Sequence, residues 1–194
     1  MYVLAISPGE GFDADRFARV LGAGVDGLML REKDLSAAEL LRAARWARDF
    51  APDLEVWVNG RLDVALAAGC GLHAPEAYPE VPLGLLPLSR PLHDPAQIPS
   101  RGSARQLILS PVYPVPGKGP ALGPAGLHRA LDALPARGCR ALALGGITPA
   151  NAAAIRHPRL DGLALIRALW AAADPRRVVG ELRVAWNQGG FGTL

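Results

Sequence analysis

Eight times along this chain a short apolar run is followed by a stretch with helical spacing, and this alternation constrains the fold more than any other feature. Parallel strands need a crossover long enough to hold a helix, so repeated βα units build a parallel sheet covered by helices. The runs are Tyr2–Ile6, Val25–Leu30, Leu54–Val58, Gly71–His73, Leu83–Leu86, Gln106–Ser110, Arg140–Leu144 and Asp161–Ile166. Between them, Phe17, Val20 and Leu21 share one face of a helix over Asp15–Gly22. Ser36-Ala-Ala-Glu39 is a capping box, followed by Leu40, Leu41, Ala44 and Ala47 at helical spacing. Further helices are predicted over Leu62–Ala68, Gly126–Leu134 and Pro175–Trp186, with a short helix or turn starting at Asp94-Pro95. Thr148 as N-cap and Pro149 at the first helical position open one more. Eight such units in 194 residues predict an α/β protein, a single small (β/α)8 TIM barrel over residues 1–186 with a flexible tail over 187–194. A Rossmann-type sheet is the runner-up, and the lack of Gly-x-Gly-x-x-Gly after the first run counts against it.

Composition narrows the partners. The net charge of +3 is scattered, without a basic block or interleaved aromatics, so no nucleic-acid partner is expected. No apolar run approaches the length of a membrane span, and the chain opens directly on an apolar run without a basic leader. A cytoplasmic protein with no membrane partner is expected. Cys70 and Cys139 flank short apolar runs and read as core thiols rather than a disulfide or metal pair. No Cys/His cluster has zinc spacing, and no metal ligand set is assigned. The apolar helix faces allow a homodimer.

The chain has only two lysines, and both follow predicted strands, where parallel α/β folds bind ligands. Lys33 ends Leu30-Arg31-Glu32-Lys33; Lys118 lies in a Pro/Gly-rich loop after the sixth run. Gly145-Gly146-Ile147-Thr148 follows the seventh run, where glycine lets backbone N–H groups approach a phosphate closely. Arg167, past the eighth run, adds a guanidinium fork at the usual phosphate position of barrels. Arg31, Lys33 and Arg61 are candidates for a second anion, and Asn59 for orienting a polar ring. Ser89, Ser110 and Ile166 join the candidate substrate contacts. His73 and His93 lie near the ends of the fourth and fifth runs and are the candidates for proton transfer. His128 and His157 read as surface residues on outer helices.

Taken in order, Leu30-Arg-Glu-Lys33, Val58-Asn-Gly-Arg-Leu-Asp-Val-Ala65, Gly71-Leu-His73, Ser110-Pro-Val-Tyr-Pro114 with Lys118, and Gly145-Gly-Ile-Thr148 resemble the thiamine-phosphate synthase/TenI superfamily over nearly the whole chain. The resemblance implies a (β/α)8 barrel that handles the phosphorylated thiazole half of thiamin. Its synthase branch joins an aminopyrimidine pyrophosphate to thiazole phosphate with Mg²⁺ held by aspartates. Its TenI branch moves a proton to aromatise a thiazole carboxylate phosphate without metal. The synthase pattern has an aspartate where this chain has Gly60, another near Glu76, a glutamine at Met29, and Thr-x-Thr-Lys where Val115-Pro-Gly-Lys118 stands. Asn59-Gly60-Arg61 is similar to the TenI branch. That branch places a catalytic histidine where this chain has Pro111, so His93, or in second place His73, is expected to replace it. The expected function is therefore a metal-independent TenI-like thiazole tautomerase, with no cofactor and a thiazole phosphate as its small-molecule partner. The alternatives are a thiamine-phosphate synthase, which would need Mg²⁺, and a non-catalytic protein that binds thiazole or thiamin phosphate.

Overall fold

Near-continuous apolar runs along the strands decide the architecture, because both faces of each strand are covered. The computed structural model describes residues 1–82, 84–101, 104–135 and 138–188. Its strands are β1 (Tyr2–Ile6), β2 (Gly27–Leu30), β3 (Glu55–Asn59), β4 (Gly71–His73), β5 (Leu88–Leu92), β6 (Gln106–Leu109), β7 (Arg140–Leu144) and β8 (Gly162–Leu165). All pair in parallel with their neighbours in sequence order, and β1 pairs with β8 to close the barrel. The expected (β/α)8 barrel is the fold observed.

One side-chain set from the strands points inward: Leu4, Ile6, Met29, Trp57, Ile108, Leu142 and Ala164 pack together inside the barrel. The alternate set, including Val3, Ala5, Leu28, Leu30, Val58, Leu72, Leu107 and Leu163, packs outward beneath the helices. This two-layer division is the period-2 pattern of a closed sheet. Gly71 makes room for the widest interior side chain: a Cβ there would lie 2.4 Å from the Trp57 ring.

The helices are α1 (Ala14–Leu21), α2 (Ala37–Phe50), α3 (Leu62–Ala68), α4 (Gly123–Ala133), α5 (Arg167–Trp170) and α6 (Pro175–Gln188). The capping box of α2 forms as expected. Glu39 N–H donates to Ser36 Oγ at 3.3 Å, and Ser36 N–H to Glu39 Oε2 at 2.9 Å. A 3-10 helix over Pro95–Arg101 occupies the place expected for a short helix after Asp94.

Three local expectations are corrected. The fifth strand is not Leu83–Leu86: residue 83 lies outside the described residues, and 84–86 form a turn. The strand is Leu88–Leu92, which contains Ser89, Arg90 and Pro91. Proline normally argues against an interior strand. Here the missing N–H of Pro91 would face β4 beyond its end at His73, and the Pro91 carbonyl accepts from Arg101 Nε at 3.1 Å. Second, no α-helix starts at Thr148. Only a 3-10 turn over Ala152–Ile155 follows β7, and Asn151 Oδ1 accepts from Thr148 N–H at 2.8 Å. Pro158 disfavours helical geometry at His157, leaving little room beyond one turn. Third, α6 continues through Asn187 and Gln188; residues 189–194, where the tail was expected, lie outside the described residues.

Both cysteines are free thiols, Cys70 buried and Cys139 half-buried. His157 is not a free surface residue: its Nε2 lies 3.1 Å from Asp132 Oδ1, and its ring centroid is 5.2 Å from that of the half-buried His128. No helix among the described residues is long and apolar enough to cross a membrane.

Candidate active site

The C-terminal ends of the strands form the mouth of the barrel, and the loops there carry the candidate residues. After β2, the Arg31 backbone N–H donates to Ser7 Oγ at 2.8 Å. Glu32 is 5% exposed, and its two oxygens accept from Gly9 N–H at 3.1 Å and Gly11 N–H at 2.7 Å. The acid between Arg31 and Lys33 therefore clamps the β1–α1 loop to β2. This leaves Arg31 half-buried and Lys33 exposed.

Asn59 ends β3 and is in register with His73 of β4, with Gly60 N–H donating to the His73 carbonyl at 2.9 Å. Arg61 is already engaged by a neighbouring acid. It binds Asp63 through Nε–Oδ1 at 3.0 Å and Nη2–Oδ2 at 2.7 Å, at the start of α3. Ser89 is not at the ligand surface either: it is fully buried, and its Oγ lies 2.9 Å from His73 Nδ1.

His73 is 9% exposed and its pKa is lowered to about 4. Burial is the main cause, reinforced by the charges of Arg31 and Arg90 and by His93. His73 is thus neutral at physiological pH. His93 is exposed, with Nδ1 2.6 Å from the Ser110 carbonyl oxygen. A carbonyl oxygen only accepts, so Nδ1 carries the hydrogen and Nε2 of the neutral ring is left with a lone pair.

Arg90 was not among the residues singled out from sequence. It is 8% exposed, and its side chain makes no hydrogen bond or ion pair among the described residues. It follows the inward-facing Ser89 and is in register with the outward-packing Leu107, so its cation is buried beneath the helix layer, which is costly without a counter-charge. Its placement on a strand is what makes it visible, and the misplaced fifth strand concealed it.

At the opposite rim, Gly145 and Gly146 have φ of 109° and 66°. A Cβ on Gly145 would lie 2.9 Å from Pro111 Cα, and one on Gly146 2.7 Å from Tyr113 Cβ. Val112 N–H donates to the Leu144 carbonyl at 2.9 Å and Tyr113 N–H to the Gly145 carbonyl at 3.0 Å. The N–H groups of Gly146 and Ile147 meet no acceptor among the described residues, nor do those of Arg167 and Ala168 at the start of α5. These four donors follow strands seven and eight, the position at which barrels hold phosphate. Ile166 is half-buried, the Arg167 side chain is exposed, and Lys118 stands exposed on the loop after β6.

No protein-family model matches the chain. It is 32% identical over 179 residues to the thiamine-phosphate synthase of Moorella thermoacetica, an alignment covering 84% of this chain and 83% of the relative. The chain belongs to the thiamine-phosphate synthase family. It is also 34% identical over 192 residues to the thiamine-phosphate synthase of Methanoculleus marisnigri, covering 90% of this chain and 89% of that one. The thiamine phosphate pyrophosphorylase from Pyrococcus furiosus superposes with a TM-score of 0.83 at 21% identity, covering 97% of this chain and 96% of that chain, which shows the shared fold.

The synthase family's Mg²⁺ does not fit the donor set at this mouth. Mg²⁺ needs several oxygen ligands in near-octahedral geometry. Gly60 offers no side chain, and Glu32 is held by the Gly9 and Gly11 amides. Glu76 Oε1 accepts from Arg101 Nη2 at 2.6 Å and from Gln97 Nε2 at 2.9 Å. Asp34 stands exposed, and no group of three His, Cys, Asp or Glu suited to a metal occurs among the described residues.

Proposed function

We propose that this protein binds a phosphorylated thiazole in thiamin biosynthesis and aromatises it by a metal-independent proton shift. The observation that carries the reading is the contact between His93 Nδ1 and the Ser110 carbonyl. It brings an imidazole to the residue beside Pro111, the position at which the TenI branch has its histidine. In this reading the N–H groups of Gly146, Ile147, Arg167 and Ala168, with Lys118 and the Arg167 side chain, hold the phosphate. Arg31 and Lys33 face the substrate's second anionic group, and Asn59 the polar ring. His93 Nε2 accepts the proton from one ring position, and the resulting imidazolium returns it at another. No proton or electron is gained or lost overall. His73 is neutral at the floor of the mouth and contributes a hydrogen bond rather than a charge.

The test is to incubate the protein with the thiazole carboxylate phosphate tautomer and follow aromatisation by ultraviolet absorbance, with and without Mg²⁺. Turnover that is independent of Mg²⁺ and lost in His93→Ala is expected. Full activity in both His93→Ala and His73→Ala would overturn the assignment. A second reading is favoured by the names of the curated relatives: a thiamine-phosphate synthase in which Arg31 and Lys33 bind pyrophosphate. Product formation from aminopyrimidine pyrophosphate and thiazole phosphate, dependent on Mg²⁺, would establish that reading. Binding without turnover in either assay would mark a binding protein.

A further inference from the structure

A line of polar side chains runs through the barrel interior, from the N-terminal face to the mouth. Tyr2 Oη donates to Glu55 Oε2 at 3.0 Å, and Arg140 Nη2 donates to Glu55 Oε1 at 3.0 Å. Arg140 Nη1 reaches Gln106 Oε1 at 3.5 Å, and Gln106 Nε2 reaches Ser89 Oγ at 3.2 Å. Ser89 Oγ then meets His73 Nδ1 at 2.9 Å. Gln106 and Ser89 are fully buried.

Each link has a fixed sense. A guanidinium only donates, so Gln106 turns its carbonyl oxygen toward Arg140 and its NH2 toward Ser89. Ser89 Oγ accepts that N–H, and because no acceptor other than His73 Nδ1 lies within hydrogen-bond distance of it among the described residues, its own hydrogen is directed to that ring nitrogen. A ring nitrogen that accepts carries no hydrogen, so the proton of the neutral imidazole is on Nε2. We propose that this column locks His73 as the Nε2–H tautomer, with Ser89 and Gln106 as positioning residues, so that the floor of the mouth presents a hydrogen-bond donor. His93 holds the opposite tautomer through Ser110. The two rings then offer one donor and one acceptor, as a proton shift through a charge-separated state requires. Because burial keeps His73 uncharged at physiological pH, the tautomer rather than the charge decides what it offers. The catalytic meaning of the lock rests on the tautomerase reading; the lock itself does not.

The test reads the tautomer directly, by long-range ¹H–¹⁵N correlation of the histidine rings at neutral pH in the ¹⁵N-labelled full chain. The wild type should show His73 protonated at Nε2 only. Gln106→Glu places a carboxylate oxygen against Ser89, which draws the serine hydrogen away from the ring, so His73 should become protonated at Nδ1. Ser89→Ala removes the link and should leave a mixture of tautomers, and Ser89→Thr should restore the Nε2–H form. An unchanged Nε2–H pattern in Gln106→Glu overturns the proposal, as does an Nδ1–H ring in the wild type. If Gln106→Glu fails to fold, an unchanged pattern in Ser89→Ala overturns it instead. In the aromatisation assay, Ser89→Ala should lower kcat about tenfold, the effect of one lost hydrogen bond, with KM within about twofold. A wild type that shows the predicted tautomer but no turnover would refute the tautomerase reading and leave the lock standing.

Discussion

Replacing His73 with glutamine should remove a large part of the protein's sensitivity to acid. The His73 ring is buried, and desolvation, with Arg31, Arg90 and His93 nearby, lowers its pKa to about 4. The same imidazole in the unfolded chain titrates near 6.5. Between these values the unfolded chain binds a proton that the folded protein refuses. Stability therefore falls as pH falls through the window, and the His73 contribution is level above about 6.5 and below about 4. The gap is worth about 3 kcal/mol at its full extent. Urea denaturation at several pH values from 7 to 4, followed by tryptophan fluorescence, measures it; Trp57 lies inside the barrel and reports its opening. Contributions common to both proteins cancel in the comparison. The stability of wild type minus that of His73→Gln should therefore drop by about 3 kcal/mol between pH 7 and pH 4. A difference that does not vary with pH would refute the argument that His73 is held neutral by its surroundings.

Two further perturbations probe buried charges. Glu32→Gln keeps one acceptor but sets an NH2 group against a backbone N–H of the β1–α1 loop, so differential scanning calorimetry should show a loss of about 2–3 kcal/mol. Faster proteolysis within residues 8–12 should accompany it. Arg90→Met removes a buried cation that lacks an ion-pair partner among the described residues, so thermal stability should rise by about 1–2 kcal/mol. A destabilised variant would mean that packing of the arginine stem outweighs the cost of burying its charge.

The barrel was legible because its signals are local. The capping box at Ser36, the glycine pair after β7 and the apolar runs each announce themselves within a few residues. β5 was not, because its signal is tertiary. Leu-Ser-Arg-Pro-Leu looks unlike a strand until β4 is seen to end opposite Ser89, before it reaches Pro91, leaving no strand carbonyl in need of the missing N–H. That misplacement also hid Arg90. The positions of His73 and His93 near strand ends could be read from sequence, but their hydrogen-bonded states could not. Those depend on Ser89 and Ser110, sixteen and seventeen residues away, and on a chain of donors that ends at Tyr2. Likewise Arg61 and Glu76 look available in the sequence, and only the structure shows each already bound to a neighbour.

The contact of Gly145 and Gly146 with Pro111 and Tyr113 bears on how this rim can diversify. With backbone lying against backbone there, any new side chain at 145 or 146 must push the β6 loop away, and with it Lys118. Changes of ligand preference at this edge of the barrel therefore have to come in pairs, one on each loop, or not at all. Arg31 and Asn59 would instead meet a ligand through their side chains, so single substitutions can be tried there one at a time. A lineage exploring new substrates on this scaffold would be expected to keep the Gly145-Gly146 end fixed and to vary the end that carries Arg31 and Asn59.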